Sequence, residues 1–235
     1  MELEIRRDHI VVVLGKRGSG KTFLIRYLVR EADFSNTVIY NGNLDDDYLK
    51  ERDFPNSDNV KVVKRRFTSA DWDKFNNEEA FKDQFVVIDE ADLVNNNHPD
   101  FYKEFINVGR HANSGGILAA RRPTMLPRDV TANADETFIF RAKERSVRDF
   151  IKTSYTDEVA EAARYLKTYE FVIVNSAQDP VAVARITPDG KKLEVLHEFS
   201  EDDTTYEDRR LPSRLPARDD DAPARGRSED RSGGS

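Results

Sequence analysis

Eight residues near the N-terminus have the types and spacing of a phosphate-binding loop. The run fits the pattern GxxxxGK[ST] and comprises Gly15, Lys16, Arg17, Gly18, Ser19, Gly20, Lys21 and Thr22. Glycines let the backbone curl so that successive N–H groups point at a phosphate, and the following helix adds partial positive charge. In this pattern Lys21 neutralises the β and γ oxygens, and the Thr22 hydroxyl holds Mg²⁺. The sequence therefore predicts an ATP and Mg²⁺ site in this loop, extending to Phe23 on the helix.

Two acidic residues supply the next candidate chemistry. Asp89 and Glu90 follow the apolar run QFVVI. A buried strand that ends at Asp89 suits a carboxylate bonded to the water shell of Mg²⁺. Glu90, one position on, is placed to orient and deprotonate an attacking water. Nucleotide and nucleoside kinases usually lack such a glutamate, because they must exclude water from the γ-phosphate. The pair therefore favours hydrolysis over phosphoryl transfer to a small molecule.

The elements that must position these residues alternate along the chain. Short apolar runs alternate with amphipathic stretches, a pattern typical of an α/β domain with a parallel sheet covered by helices on both faces. After Tyr169 the runs EFVIVN and VAVARI predict a small antiparallel hairpin, and a further edge strand follows the turn at Pro188-Asp189-Gly190. The predicted strands are 9–14, 37–40, 60–63, 84–88, 116–120 and 136–140; the predicted helices are about 21–32, 101–110, 144–153 and 157–168.

Composition excludes several classes of protein. The chain of 235 residues has no cysteine, which excludes a disulfide scaffold, a thiolate zinc site and a cysteine nucleophile. No apolar window is long enough for a membrane span, and the first residues lack the apolar stretch of a signal peptide. We therefore expect a soluble intracellular protein. Its net charge is −7, so any site for a polyanion must be a local basic patch.

The composition changes near residue 200. Residues 200–235 hold 10 acidic and 7 basic residues and few large apolar ones. Such a segment cannot bury enough apolar surface to offset its ordering entropy. We therefore expect one ATPase domain over residues 1–199 and a disordered charged tail over residues 200–235.

A third segment carries a family resemblance. Gly109-Arg110, the run Ala119 to Pro123, the stretch LPRDVTANAD and the strand-like FIF at Phe138 to Phe140 occur in the order seen in the FtsK–HerA superfamily of DNA-pumping ATPases. This resemblance covers roughly residues 9–155. The superfamily includes the packaging ATPases of tailless viruses with internal membranes. It implies a RecA-like fold with an additional strand and a catalytic glutamate. It also implies ATP hydrolysis coupled to double-stranded DNA translocation by a homo-oligomeric ring, a hexamer or a pentamer.

The resemblance also suggests further catalytic residues. Arg121 stands where the superfamily usually has a glutamine that senses the γ-phosphate; an arginine only donates hydrogen bonds and carries charge. Such rings complete each site with an arginine from the neighbouring subunit, for which Arg110 is the first candidate. The alternatives are Arg141, Arg145 and Arg148. Two basic clusters are candidates for DNA contact. They are Lys61 with Lys64, Arg65 and Arg66, and Arg121 with Arg122 and Arg128.

Other functions remain open from the sequence. Residues 89–92 spell DEAD, but one core of this size leaves no room for the two RecA-like domains of DEAD-box helicases. The short chain and polar tail favour a viral genome-packaging motor, virion-associated during packaging, whose tail could bind a capsid or membrane protein at the portal vertex. A cellular HerA-like or conjugation-type DNA motor is the first alternative. An ATP-dependent assembly switch that pumps no DNA is the second, and a small-molecule kinase, against which Glu90 argues, is the third.

Overall fold

The computed structural model describes residues 4–32, 34–42, 49–50, 53–54, 59–68, 71, 82–94 and 101–199. Nine strands lie in this part of the chain: β1 (Ile10–Leu14), β2 (Thr37–Tyr40), β3 (Val60–Val63), β4 (Phe85–Asp89), β5 (Gly115–Ala120), β6 (Glu136–Phe140), β7 (Glu170–Asn175), β8 (Pro180–Ile186) and β9 (Leu193–Glu198). The helices are α1 (Lys21–Ala32), α2 (Phe101–His111), α3 (Arg128–Ala132), α4 (Arg145–Ser154) and α5 (Asp157–Tyr165).

All nine strands form one mixed sheet in the order β3-β2-β4-β5-β1-β6-β7-β8-β9. The six strands from β3 to β6 run parallel to one another, with β5 between β1 and β4. In this register Leu14 pairs with Ala120, and Asp89 pairs with Ala119. The carboxyl ends of β1, β4, β5 and β6 therefore meet at one edge of the sheet, where parallel α/β sheets bind ligands.

The strands from β6 to β9 pair in antiparallel fashion. Each turn contains a residue with positive φ: Gln178, at 69°, in the β7–β8 connection and Gly190, at 67°, in the β8–β9 connection. Asp189 caps the second turn by accepting hydrogen bonds from the Thr187 hydroxyl and the Lys191 N–H. These strands extend the sheet beyond β6, away from β4.

The alternation of side chains along the strands divides the core between the two faces of the sheet. Val11 and Val13 of β1 point to the face covered by α1 and pack in the cluster that holds Leu24, Ile25 and Leu28. The other β1 side chains point to the opposite face, where apolar residues of α2, α3, α4 and α5 pack. Each fully buried aliphatic side chain contributes about 1.5–3 kcal/mol relative to exposure. Helices therefore cover both faces and hold the sheet edge that carries the motifs.

The structure confirms the predicted sheet with helices and corrects some of the predicted helix bounds. The helix predicted over 157–168 ends at Tyr165, because Leu166, with a φ of −55° and a ψ of 144°, leaves the helical conformation. The short α3 was not predicted, since its five residues are too few to show helical periodicity. In the described part of the chain the helices fall short of the length and apolar character needed to cross a bilayer. Residues 200–235, for which a disordered tail is predicted, lie outside the described residues.

Candidate nucleotide site

The predicted phosphate loop joins β1 directly to α1. The Gly15 N–H donates to the Ala120 carbonyl at 3.1 Å, which continues the β1–β5 pairing into the loop. Gly18 has a φ of 76° and Gly20 a φ of 113°, conformations that side-chain-bearing residues rarely adopt. A Cβ on Gly20 would also lie 2.7 Å from Cδ1 of Tyr169. The glycines at these two positions therefore allow the curled backbone that the motif predicts.

Lys21 lies inside this loop. Its side chain is buried, and Nζ donates to the carbonyl oxygens of Gly15 at 2.6 Å and Lys16 at 3.2 Å. Burial lowers the pKa of Lys21 from 10.5 to about 8, although the nearby charge of Asp89 acts in the opposite direction. The ammonium is thus already held at the loop and protonated at neutral pH, as binding of a phosphate requires.

The donors around the loop fit a nucleotide with Mg²⁺. The Ser19 hydroxyl oxygen is buried and has no hydrogen-bond partner among the described residues, and such a group is satisfied when a phosphate oxygen enters the loop. Thr22 and Asp89 offer the hard oxygen donors that Mg²⁺ prefers. No group of three His, Cys, Asp or Glu that could hold a metal by itself occurs among the described residues. The ion would therefore also need oxygens of the nucleotide or water.

Tyr169 packs against the loop and the first turn of α1 and stabilises the loop. The sequence did not identify this residue. Its N–H donates to the Ser19 carbonyl at 3.0 Å, and its ring meets the Phe23 ring edge-on with centroids 5.9 Å apart. Tyr169 has a positive φ of 69°, which is unfavourable for a residue with a side chain. No sequence pattern marks this contact, because it joins residues about 150 positions apart.

Asp89 and Glu90 lie where β4 ends. Asp89 is buried, and its Oδ1 accepts a hydrogen bond from the Glu90 N–H at 3.0 Å. Burial raises the pKa of Asp89, while the charge of Lys21 opposes this effect. Glu90 is also buried and has a left-handed backbone, with a φ of 61° and a ψ of 38°. Strain of this kind clusters at functional sites, because the surrounding structure must hold it in place.

Two arginines contact the Glu90 carboxylate. Arg121 Nη2, from the residue after β5, forms an ion pair with Oε1. Arg66 Nε, from the segment after β3, lies 3.3 Å from Oε2. The contact with Arg121 brings the predicted sensor position to the predicted catalytic carboxylate. The contact with Arg66 was not predicted, because the sequence only marked Arg66 as one of a basic cluster.

Asp92, the last residue of the DEAD run, fixes the position of Arg121. Its Oδ1 accepts a hydrogen bond from the Arg121 N–H at 3.1 Å, and the side chain is 2 % exposed. The short 3₁₀ helix Ala91–Leu93 therefore ties the end of β4 to the end of β5. This hydrogen bond accounts for the carboxylate at position 92 as a structural residue of this fold.

A cavity of about 390 Å³ opens beside the loop, between the ends of β1, β5 and β6 and the first turn of α4. The described residues that line it include one carboxylate, Glu144, and five cations that form no ion pair or side-chain hydrogen bond with any described residue. These cations are Lys16, Arg17, Arg122, Arg141 and Lys143. The uncapped N-terminus of α4 also lies here. The cavity is therefore electropositive and suits an anionic group.

Three other arginines that are candidates for completing a neighbouring subunit's site lie on α2 and α4. Arg110 lies on the last turn of α2, and its side chain is outside the described part of the structure. Arg148 donates to the Lys143 carbonyl, and Arg145 forms a weak exposed pair with Asp149 at 3.8 Å.

Two of the four residues of the first basic cluster form ion pairs within the chain. Arg65 donates to both carboxylate oxygens of Asp71, at 2.5 and 2.6 Å, while Arg66 contacts Glu90. Lys61 and Lys64 are exposed. In the second cluster Arg122 and Arg128 are exposed, and Arg121 contacts Glu90. Arg65 and Arg66 therefore have structural partners that a solvated DNA-binding patch would not require.

Comparison with known proteins supports the fold. Residues 7–113 match the model of a family described as AAA domain, a range that includes the phosphate loop and Asp89–Glu90 and ends before β5. No curated protein matches the chain.

Solved structures of viral packaging proteins share the fold. The crystal structure of B204, the DNA-packaging ATPase from Sulfolobus turreted icosahedral virus, is 24% identical, with a TM-score of 0.60 over 81% of this chain and 98% of that chain. The genome packaging NTPase B204 from Sulfolobus turreted icosahedral virus 2 in complex with ATP-gammaS is 22% identical, with a TM-score of 0.58 and the same coverage of both chains. The chain therefore has a P-loop NTPase-like fold.

Proposed function

We propose that this chain is an ATPase that translocates double-stranded DNA, as a viral genome-packaging motor in a homo-oligomeric ring. The observation that carries the proposal is the convergence of the phosphate loop, Asp89 and Glu90 at one sheet edge, with β5 between β1 and β4. That strand order supports assignment to RecA-like ATPases with an additional strand and a catalytic glutamate. The motifs from Gly109 to Phe140 support placement in the FtsK–HerA superfamily.

The residues of the chain have distinct roles in the proposed hydrolysis. Residues 15–20, with Thr22 and Phe23, bind the nucleotide, and Lys21 donates to the β- and γ-phosphate oxygens. Thr22 and Asp89 would hold Mg²⁺, which supplies charge neutralisation at the phosphates when bound. Glu90 accepts a proton from the water that attacks the γ-phosphorus. The bond from the γ-phosphorus to the bridging oxygen breaks, and its electron pair goes to ADP.

Cations on this chain stabilise the charge that develops at the γ-phosphate. Arg121 lies between Glu90 and the cavity beside the loop, so its guanidinium is placed to sense the γ-phosphate. We also propose Arg110 of a neighbouring subunit as the arginine that completes the site. Charge stabilisation of this kind contributes most where water is excluded.

DNA and the other partners are proposed on separate grounds. Exposed cations such as Arg122 and Arg128 would pair with DNA phosphates in a sequence-independent manner. The packaging role is supported by the fold shared with B204. We propose residues 1–199 as the motor domain and residues 200–235 as a charged tail that binds a capsid or membrane protein.

Steady-state ATP hydrolysis with and without duplex DNA, at 50 and 200 mM salt, tests the proposal. The expected result is hydrolysis that DNA stimulates and that loses its stimulation at the higher salt, because phosphate contacts weaken steeply over about this range. Slow turnover that is indifferent to DNA would instead favour an assembly switch. Turnover only with a small acceptor would favour a kinase.

A further inference from the structure

The cavity beside the phosphate loop carries more positive charge than the proposed roles of its residues require. Arg121 contacts Glu90, but the other five cations among the described lining residues form no ion pair or side-chain hydrogen bond with any described residue. Cations gathered around one space repel one another, and an anion that enters the space removes this repulsion. The cavity therefore suits a ligand that carries more than one negative charge.

This cavity borders the place where the proposed hydrolysis puts the γ-phosphate. Gly15 and Lys16 form part of its wall, and their carbonyl oxygens hold Lys21 Nζ at 2.6 and 3.2 Å. Arg121 forms another part of the wall and contacts Glu90. The groups assigned to the γ-phosphate and to the attacking water therefore lie along one side of the cavity.

The other side of the cavity is built by residues that follow β6. Arg141 is half-buried and Lys143 is exposed, and Ser146, in the first turn of α4, adds a hydroxyl group. A guanidinium offers paired N–H donors that match two phosphate oxygens, and an ammonium offers a mobile point charge. The volume of about 390 Å³ leaves room for a phosphate ion and ordered water.

The shape of this space favours a free phosphate ion over a nucleic acid. DNA phosphates lie between sugars on the outside of a wide duplex, so they reach cations on an open surface more readily than cations around a cavity. A free phosphate ion can enter the cavity, and the proposed hydrolysis releases such an ion at its edge. Both the location and the dimensions of the cavity therefore favour product phosphate.

We propose that the cavity is a second anion site, which binds the inorganic phosphate released by hydrolysis while ADP still occupies the phosphate loop. The proposal rests on the proposed function, because hydrolysis supplies the phosphate. The ion moves from Lys21 and Arg121 to Arg141 and Lys143 on the far wall. Phosphate that fills the cavity from solution therefore slows turnover, since the next product phosphate cannot leave the loop by this route.

Equilibrium dialysis with radiolabelled inorganic phosphate tests the site in the full chain. The chain is saturated with Mg-ADP in one arm and with ATP-gammaS, which fills the γ-phosphate position, in the other. One phosphate should bind per chain in both arms, because the cavity lies outside the loop. Phosphate that binds beside ADP but not beside ATP-gammaS would lie at the γ-phosphate position, and this result would overturn the proposal.

Variants of one exposed lysine locate the bound phosphate. Lys143→Gln should weaken phosphate binding to the ADP complex about two- to five-fold, as expected for the loss of one exposed ion pair, and Lys143→Arg should retain it. Lys82→Gln is the matched control, because Lys82 is an exposed lysine just before β4, at the opposite edge of the sheet. All measurements use one ionic strength, since salt screens such pairs. Equal affinity in Lys143→Gln and wild type would place the phosphate elsewhere and overturn the proposal.

Inhibition of steady-state ATP hydrolysis by added phosphate gives a second readout. Phosphate should lower kcat and leave KM for ATP unchanged, and Lys143→Gln should need about two- to five-fold more phosphate for the same inhibition. Inhibition that excess ATP relieves would show competition in the loop and contradict a second site. A chain that binds phosphate beside ADP but never hydrolyses ATP would overturn the proposed function and confirm the anion site.

Discussion

At the scale of single residues, the charge of Lys21 depends on where the loop places it. The side chain is buried against the carbonyl oxygens of Gly15 and Lys16, and burial lowers its pKa to about 8. An ammonium that loses water on folding binds a phosphate without a further desolvation cost. The same burial brings its deprotonation close to neutral pH.

The free enzyme should therefore lose affinity for ATP as the pH rises above about 8. Below this pH Lys21 is protonated and pairs with phosphate; above it the amine is neutral and the attraction is lost. The pH profile of kcat/KM should fall with an apparent pKa near 8. In Lys21→Arg the guanidinium stays charged, so this limb should disappear even where the overall rate is lower. A wild-type profile flat from pH 7 to 10 would contradict the assignment of Lys21 as a phosphate ligand.

At the scale of elements, the segment after β3 depends on one buried carboxylate. Asp71 accepts hydrogen bonds from the Arg65 guanidinium, the Thr68 N–H and the Thr68 hydroxyl. Burial alone would raise the pKa of Asp71, but these hydrogen bonds lower it from 3.8 to about 2. Asp71 thereby orders the residues that carry Arg66 toward Glu90.

Asp71→Ala should lower the free energy of unfolding by about 2 kcal/mol, because several donors lose their acceptor. Because the folded pKa lies below 3.8, the contribution of Asp71 is present above pH 3.8 and is lost as the pH falls toward about 2. Urea unfolding should show the difference from wild type at pH 7 and a smaller one at pH 3. Asp149→Ala removes an exposed carboxylate and should change little. Equal stability of Asp71→Ala and wild type at pH 7 would contradict this role.

Local patterns predicted much of the element list and the residues of the loop. The β1 run and the glycine motif are contiguous, so their geometry follows from short-range chemistry, and the strand and helix bounds mostly agree within two residues. The sequence did not predict the contacts of Arg66 and Tyr169, because these contacts are not local in the chain. Each joins elements that the fold brings together across the sheet, and a single sequence gives no signal for such pairs. The five residues of α3 were missed because they are too short for a periodic pattern.

At the scale of the whole molecule, charge is unevenly distributed. The chain has a net charge of −7, yet the described residues that line the cavity beside the phosphate loop include six cations and one carboxylate. Local concentration of cations produces an attractive potential for anions even on an acidic protein. Anionic ligands are therefore directed to the sheet edge where the candidate nucleotide site lies.

The proposed boundary between the motor domain and the charged tail, after residue 199, leads to a further prediction. The Phe199 N–H donates to the Val181 carbonyl next to the end of β9, and residues 200–235 hold few large apolar residues. A chain of residues 1–199 should therefore unfold within about 2 °C of the full chain and retain its ATPase rate. Calorimetry and an ATPase assay check this. A fall of more than 5 °C would show that the tail packs on the domain.

The proposed hydrolysis requires Glu90 to accept a proton from water at a bound ATP. Single-turnover cleavage of labelled ATP, with enzyme in excess, compares the wild type with Glu90→Gln. Both proteins should bind ATP, and the variant should cleave it about 100-fold more slowly or worse, as expected when a general base is removed. Cleavage at the same rate in both proteins, or binding without cleavage in the wild type, would contradict it.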